Sequence, residues 1–285
     1  MRLTIIAIFF LAKTISAATV SFTGASSQDW LDPTNWTPSL PTTVDLAEIR
    51  GSTVVAEIAS ASAVARYVDV RDLGVVNVTG GSLAFGFSNN RWMWVGWQTA
   101  GTVNQSGGSV TGTGTNVDLI IDSNGTYNMT GGVLNVSDDL RLNGNAVFNV
   151  AGDSVVNIGD DLRVESGASV EFNIQLVGAA VPTINITDDF VLRDSATLNI
   201  DATNWTGVSA VSLFVTNGTV VGDFAQVTLN GQAVPASDYQ FNSGSVVITV
   251  SETSAQSPAL LGMMVMFFAC SKRTKRGDRT PTKLP

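Results

Sequence analysis

The sequence predicts an all-β protein whose body is a right-handed parallel β-helix, or β-solenoid, of about five or six coils. One phrase recurs with variations, as VNVTGG, VNQSGG and YNMTGG at Val76–Gly81, Val103–Gly108 and Tyr127–Gly132. Weaker copies of the phrase follow, and the asparagine of each copy lies 21 to 27 residues after the one before it. A second phrase, built on Asp-Asp, keeps step with the first at Asp138–Leu142, Asp160–Val164 and Asp188–Leu192. Short β-type runs separated by Gly, Asn and Asp at this period are typical of solenoid coils.

The alternation of side chains along a strand predicts what each column of the coil does. Tyr127, Phe148 and Phe172 fall in one column of successive repeats, and the asparagine that follows each of them falls in the next. We expect the aromatic column to point inward as a ladder spaced about 4.8 Å, and the asparagine column to stack outward or at a corner. Each DDLRL-type phrase is expected to be a strand entered through an acidic turn.

The ends of the chain break the repeat and divide it into segments. Trp30 and Trp36 lie in a non-repeating stretch expected to cap the solenoid, and residues 208–250 are expected to form hairpins with turns at Asn217-Gly218 and Asn230-Gly231. The predicted segments are a signal peptide (1–17), an N-terminal cap (18–63), solenoid repeats (64–200), a C-terminal β cap (201–250), a linker (251–258) and an apolar segment with a basic tail (259–285). Apolar helices are expected at both termini.

The first and last segments predict export and attachment. Arg2, the apolar run Leu3–Ala12 and the small residues after it form a secretory signal pattern, with the cut after Ala17 or Ala18. At the other end an apolar run, Ala259–Cys270, precedes a basic cluster. A basic flank retains a tail on the cytoplasmic side of a membrane. The sorting or anchoring residues are Pro258, Lys272, Arg273, Lys275 and Arg276.

Charge and composition exclude several classes of function. Residues 18–257 contain seven arginines, no lysine and 23 acidic residues, a net charge of −16. Nucleic acid is therefore excluded as a partner. With no histidine and with Cys270 in the tail, the body has no histidine-based catalytic triad, no histidine-ligated metal site and no disulfide.

The aspartate pairs admit three interpretations. Aspartate favours turns, and this interpretation is preferred because the pairs recur in successive coils, whereas an active site is usually unique. Carboxylates stacked along one edge could instead bind calcium, and two carboxylates could serve a glycosidase. The candidate calcium ligands are Asp138, Asp139, Asp160, Asp161, Asp188 and Asp189.

A cluster of tryptophans is the one chemically distinctive stretch in the repeats. It comprises Arg91, Trp92, Trp94 and Trp97, and Trp92 and Trp94 share one face of a strand. Facing outward, they would form a platform for sugar rings; facing inward, they would fill a wide coil. The core interpretation is preferred. No residue is assigned a catalytic role, and calcium is the only candidate cofactor.

The chain resembles the repeat-rich bacterial surface proteins that carry a PEP-CTERM sorting tail. The resemblance rests on Asp29–Trp36 followed by Pro41 and Asp45, which is similar to an entry motif also found before autotransporter-type β-helices, on the coil repeats, and on the order proline, apolar run, basic cluster. It implies a sorting peptidase as a partner. The tail lacks the Pro-Glu-Pro motif and has Ser257-Pro258-Ala259 instead, so an uncut tail would tether the body to the membrane.

These observations lead to one main expectation and one alternative. The main one is a secreted or membrane-anchored surface protein with a structural or adhesive role in the envelope or extracellular matrix, whose partners are polysaccharides or other surface proteins. The alternative is an extracellular β-helix protein that binds polysaccharide or, less favoured, cleaves it as a lyase or hydrolase. A cleft with two carboxylates about 5–9 Å apart would indicate cleavage.

Overall fold

The protein is a β-solenoid of about eight turns, seen in a computed structural model. The structure describes residues 17–193, 195–207, 210–235, 239–242 and 245–249. These residues form three sheets that run along the coil axis, and each turn contributes one strand to each sheet. A single 3-10 helix, Pro33–Asn35, is the only helix among the described residues.

The strands are numbered in chain order. The first sheet contains β1 (Thr19–Phe22), β2 (Trp36–Thr37), β3 (Leu46–Arg50), β6 (Tyr67–Arg71), β9 (Arg91–Val95), β12 (Val117–Ile121), β15 (Leu140–Leu142), β18 (Leu162–Val164), β21 (Phe190–Leu192) and β24 (Val220–Val221). The second contains β4 (Val55–Ile58), β7 (Val75–Val78), β10 (Gly101–Gln105), β13 (Gly125–Met129), β16 (Val147–Ala151), β19 (Ser169–Gly178), β22 (Ser195–Trp205), β25 (Gln226–Leu229) and β26 (Gln232–Ala233). The third contains β5 (Ser62–Ala65), β8 (Ser82–Phe85), β11 (Ser109–Gly112), β14 (Val133–Val136), β17 (Val155–Ile158), β20 (Thr183–Ile186), β23 (Ala210–Thr216), β27 (Tyr239–Asn242) and β28 (Ser245–Thr249).

The number of coils is larger than the five or six predicted. Parallel pairing extends beyond residues 64–200, from β1, β3 and β4 at one end to β24 and β25 at the other. The additional coils were missed because they lack the marker asparagine. Glu57 pairs with Asn77 before the first copy, and Thr228 pairs with Asn199 after the last.

The aromatic column points inward, as predicted. Tyr127, Phe148 and Phe172 are fully buried and aligned across successive strands of the second sheet. Their rings do not stack face to face at the strand spacing. They meet edge to face with centroids 5.9 and 6.4 Å apart, because the quadrupoles of aromatic rings disfavour an eclipsed stack.

The asparagine column points outward and forms a continuous ladder of side-chain amides. Asn104 donates from Nδ2 to Oδ1 of Asn77 at 2.9 Å, and Asn128 donates to Asn104 at 2.8 Å. The pattern continues through Asn149, Asn173 and Asn199. These residues lie within strands, so the outward alternative is correct and the corner alternative is not.

The N-terminal stretch covers the open end of the core with two tryptophans. Trp30 and Trp36 are buried, their ring centroids lie 4.7 Å apart, and Trp36 Nε1 donates to the Trp30 carbonyl. Asn35 is fully buried, and its side chain bonds to Ser26, Ser27 and Asp29. The entry motif thus folds a compact corner against the first coil.

The C-terminal stretch only partly follows the predicted hairpins. The turn at Asn230-Gly231 joins the antiparallel pair β25 and β26, with positive φ at both residues. The predicted hairpin at Asn217-Gly218 is wrong. There the chain continues into β24 of the first sheet, because the Gly218 N–H bonds to the carbonyl of Asp188 one coil earlier. The strand before this turn, β23, pairs parallel with β20 and antiparallel with β28.

Several predictions lie outside the described residues. These are the terminal apolar helices, the signal segment apart from Ala17, and the linker and tail with Pro258, Lys272, Arg273, Lys275 and Arg276. Across the portion of the chain that is described, no helix has the length and apolarity needed to cross a membrane.

Candidate functional site

The tryptophan cluster faces outward, which corrects the preferred core interpretation. Along β9, Met93 and Val95 are fully buried, whereas Trp92 and Trp94 on the opposite face are half-buried. Strand alternation allows only one of the two faces to enter the core. Met93 and Val95 occupy the inward face of β9, and the indoles lie on the outer surface of the first sheet.

The indoles line a groove together with side chains from neighbouring coils. Strand pairing places Tyr67 beside Trp92 and Asp69 beside Trp94. The groove has a volume of about 370 Å³, within the range of small-ligand sites. We call it the aromatic groove; its lining residues are Ala17, Ala18, Thr19, Leu46, Tyr67, Asp69, Trp92, Trp94 and Trp97.

The aromatic rings form one connected surface. Trp92 contacts Tyr67 at a centroid distance of 4.7 Å and Trp94 at 5.3 Å, and Trp94 stacks on Trp97 at 5.1 Å with the planes 9° apart. Arginines pack against two of the rings: Arg91 lies 5.2 Å from the Tyr67 centroid and Arg71 lies 4.8 Å from that of Trp97. These contacts fix the rings before any ligand arrives, and a preorganised surface binds at a lower entropic cost.

The aromatic groove also contains polar groups with unused hydrogen-bonding capacity. Asp69 is 5% exposed; its Oδ2 lies 3.0 Å from Arg71 Nε, and its Oδ1 has no hydrogen-bond partner. Trp94 Nε1 likewise has no partner. Burial raises the pKa of Asp69 to about 6, although the Arg71 guanidinium acts in the opposite direction. The groove therefore presents ring faces over two buried polar atoms, Asp69 Oδ1 and Trp94 Nε1, that have no hydrogen-bond partner among the described residues.

The aspartate pairs form a row along the edge of the first sheet. Three overlapping triads bring carboxylate oxygens within 4.8 Å of one another, each made from an Asp-Asp pair and one aspartate of the preceding coil. The first triad includes Asp118, which the sequence analysis did not select. We call these residues the aspartate row: Asp118, Asp138, Asp139, Asp160, Asp161, Asp188 and Asp189.

Contacts within the aspartate row agree with the turn interpretation. Oδ1 of Asp139 accepts the backbone N–H of Asp161 at 3.2 Å, and Oδ1 of Asp161 accepts that of Asp189 at 2.7 Å. Arg163 lies between these carboxylates, with Nε 3.2 Å from Asp139 Oδ2 and Nη2 against Asp161. The inner carboxylates thus cap the next coil and are neutralised by arginine, which leaves less negative charge for a cation.

Burial, neighbouring charges and hydrogen bonds shift several pKa values within the aspartate row. Burial raises the pKa of Asp118 to about 6, against the effect of Arg141. Burial and the neighbouring carboxylates raise the pKa of Asp160, whereas hydrogen bonds from Thr219 lower that of Asp189. The row is therefore electrostatically uneven, with its more acidic carboxyl at the Asp189 end.

A second concave surface, which the sequence did not indicate, lies over the asparagine ladder. It has a volume of about 650 Å³ and lies on the second sheet between β13 and the β25–β26 turn. We call it the amide cleft, and its polar lining includes Asn128, Asn149, Asn173, Asn199, Asp201, Thr203 and Asn230. Asp201 is bonded to Thr203 and Gln175, and these hydrogen bonds lower its pKa.

Neither concave surface brings two carboxylates together. Among the residues that line the aromatic groove, Asp69 is the single carboxylate, and Asp201 is the single one in the amide cleft. A glycosidase needs a pair on either side of the scissile bond. Neither lining therefore offers the carboxylate pair of a glycosidase among the described residues.

Comparisons with protein-family models, with curated proteins and with solved structures found no match for this chain.

Proposed function

We propose that this chain is an exported, surface-attached β-solenoid that adheres to extracellular polysaccharide through its aromatic groove. The observation that carries the proposal is the outward orientation of Trp92 and Trp94 beside the buried carboxylate of Asp69. Indole faces pack against the C–H faces of sugar rings, and the half-buried side chains of Trp92 and Trp94 offer such faces on the outer surface of the coil.

The charge of the body supports a neutral glycan as the ligand. The net charge of −16 over residues 18–257 disfavours polyanions. Three of the seven arginines of this segment, Arg66, Arg71 and Arg91, are already packed on rings of the groove. They stabilise the aromatic surface and are not left as free cations for an acidic polymer.

The remaining parts of the proposal come from the sequence. The signal segment 1–17 directs export, and the 259–285 segment anchors the body or is cut by a sorting peptidase, as the resemblance to PEP-CTERM proteins implies. The right-handed winding and the terminal apolar helices belong to the same proposal. A purely structural role in the envelope or matrix is the second candidate, and the long satisfied ladders and continuous core favour it.

A binding assay separates the two candidates. The body, residues 18–255, is passed over immobilised neutral and anionic polysaccharides, together with Trp92→Ala and the matched control Val221→Ala. Val221 is 49% exposed on the same sheet at the far end of the coil, away from the groove. We expect selective retention on a neutral glycan, lost in Trp92→Ala and kept in Val221→Ala. Equal behaviour of all three proteins would refute binding through the groove and leave the structural role.

A further inference from the structure

The described chain enters the fold at Ala18. The Ala18 carbonyl accepts the N–H of Leu46 at 2.8 Å, which is the first bond between β1 and β3. On its other side, the Ala18 backbone nitrogen donates to Oδ1 of Asp45 at 3.0 Å. Ala17, one residue earlier, is exposed. Parallel pairing and side-chain capping therefore both begin at residue 18.

Asp45 is built to hold this nitrogen. Asp45 is only 6% exposed. Its other carboxylate oxygen, Oδ2, accepts hydrogen bonds from both the backbone N–H and the hydroxyl of Thr42. Burial by itself would raise the pKa of Asp45, but the hydrogen bonds from Thr42 and Ala18 outweigh it and lower the pKa. The carboxylate is therefore ionised at neutral pH and directed at the nitrogen of residue 18.

This geometry discriminates between the two cleavage positions that the sequence left open. A cut after Ala18 would remove the donor to Asp45 and the acceptor for Leu46, and would leave a buried carboxylate oxygen without its partner. An unpaired buried charge is strongly unfavourable. A cut after Ala17 keeps both contacts and turns the neutral N–H donor into a cation.

We propose that the Ala17–Ala18 peptide bond is the processing site of the exported chain, and that the new α-ammonium of Ala18 forms an ion pair with Asp45. This rests on the proposed export. In the cleavage, the oxygen of water bonds to the Ala17 carbonyl carbon as the C–N bond breaks. Ala17 leaves as a carboxylate, and the Ala18 nitrogen gains two protons and becomes an ammonium.

Processing at this bond also alters the aromatic groove. Ala17 and Ala18 both line it. Cleavage removes Ala17, so that the rim is formed by Ala18, whose charge is balanced by Asp45 within the same corner. Cleavage thus produces the mature N-terminus and the final rim of the groove in one step, and the ion pair holds β1 in place.

The test uses the full chain, expressed with its leader in an exporting bacterium. The N-terminal residue of the exported protein is determined by sequencing and intact mass, and we expect Ala18. Its α-amine is then labelled by reductive ¹³C-methylation and titrated by NMR. Because residues 18–257 contain no lysine, the signal is separable from the tail lysines, which titrate near pH 10.4.

The ion pair has its own expected result. We expect an α-amino pKa above about 8, and about one unit lower in Asp45→Asn. The control Asp32→Asn removes an exposed carboxylate at the same end and should leave the value unchanged. The wild-type titration is decisive even if Asp45→Asn does not fold. An N-terminus at Thr19, or a wild-type α-amino pKa at or below about 8, would overturn the proposal.

The outcomes also separate this proposal from the function. An exported protein that begins at Thr19 but is retained on glycan refutes the processing site alone. One that begins at Ala18 with a raised α-amino pKa but binds no glycan supports the site and refutes the adhesive role. A chain that stays inside the cell with its leader attached refutes both.

Discussion

Asp69 should make the stability of the protein depend on pH in a direction opposite to that of most aspartates. Its pKa is raised from 3.8 to about 6 by burial. Between these values the folded state binds more protons than the unfolded state, so stability falls as the pH rises through this window. A difference of about 2 pKa units corresponds to about 3 kcal/mol.

The substitution Asp69→Asn isolates this contribution. The amide is neutral at every pH, so it resembles the protonated wild type at pH 4 and lacks the buried charge at pH 7. We expect the stability of the variant relative to wild type to increase by about 2 kcal/mol from pH 4 to pH 7, because the unfolded carboxyl is already largely ionised at pH 4. Asp118, whose pKa is raised in the same direction, is present in both proteins and cancels in the difference.

The assay is urea unfolding at pH 4, 5, 6 and 7, followed by far-ultraviolet circular dichroism. Asp72→Asn is the matched control, since hydrogen bonds from Thr99 and Arg50 lower the pKa of Asp72. Stability from Asp72 is present above pH 3.8 and lost only as the pH falls below it. A difference in unfolding free energy between wild type and Asp69→Asn that does not vary from pH 4 to pH 7 would contradict this prediction. Asp69 would then not be a buried carboxyl with a raised pKa.

Three further substitutions test the coil itself by urea unfolding. Phe172→Ala removes a ring that contacts four other phenylalanines and should cost about 3–5 kcal/mol, whereas Phe87→Ala, at a 38% exposed residue, should cost little. Asn149→Ala breaks the ladder bonds to Asn128 and from Asn173 and should cost about 1–3 kcal/mol; an unchanged midpoint would mean that the ladder adds no stability. Gly108→Ala should prevent folding of the third coil, because φ is +60° and a Cβ would lie 1.9 Å from the Gly81 carbonyl oxygen; a soluble variant with wild-type unfolding would contradict the close backbone approach.

The sequence was most informative where one residue type repeats in one column. Asn77 to Asn199 mark the second sheet because stacked amides favour the same residue in each coil. The terminal coils escaped detection for the same reason. Glu57 can occupy the outward position beside Asn77, and Thr228 can donate its hydroxyl to Asn199, without continuing the pattern. Periodicity therefore finds the ladder and not the full length of the solenoid.

The orientation of the tryptophans could not be predicted from their own segment. In Arg91–Val95 both alternating faces are apolar, with Met93 and Val95 on one side and Trp92 and Trp94 on the other. Hydrophobicity alone does not select between them, and the register of β9 with the buried Val68 and Val70 of the preceding coil does. Tyr67 and Asp69 also line the groove, but they lie one coil before the tryptophans. Only the register of β6 against β9 brings them beside Trp92 and Trp94.

The position of the groove follows from how a solenoid constrains its sequence. Inward positions are almost all apolar, and the buried Gln105 is hydrogen-bonded to the Tyr127 hydroxyl and the Val133 carbonyl, whereas an outward column only has to suit its neighbours. The outward column that contains Asp69 and Trp94 contains arginines at positions 141 and 163 further along. A binding surface is therefore expected where the length of the repeat changes.

The step from Asn77 to Asn104 is 27 residues, the longest in the ladder, and it contains all three groove tryptophans. Backbone with positive φ on both sides of β9, at Phe87 and Gln98, accommodates the additional residues. In a repeat protein of this kind, a coil lengthened between two ladder positions is a place where a binding surface can be added without altering the core.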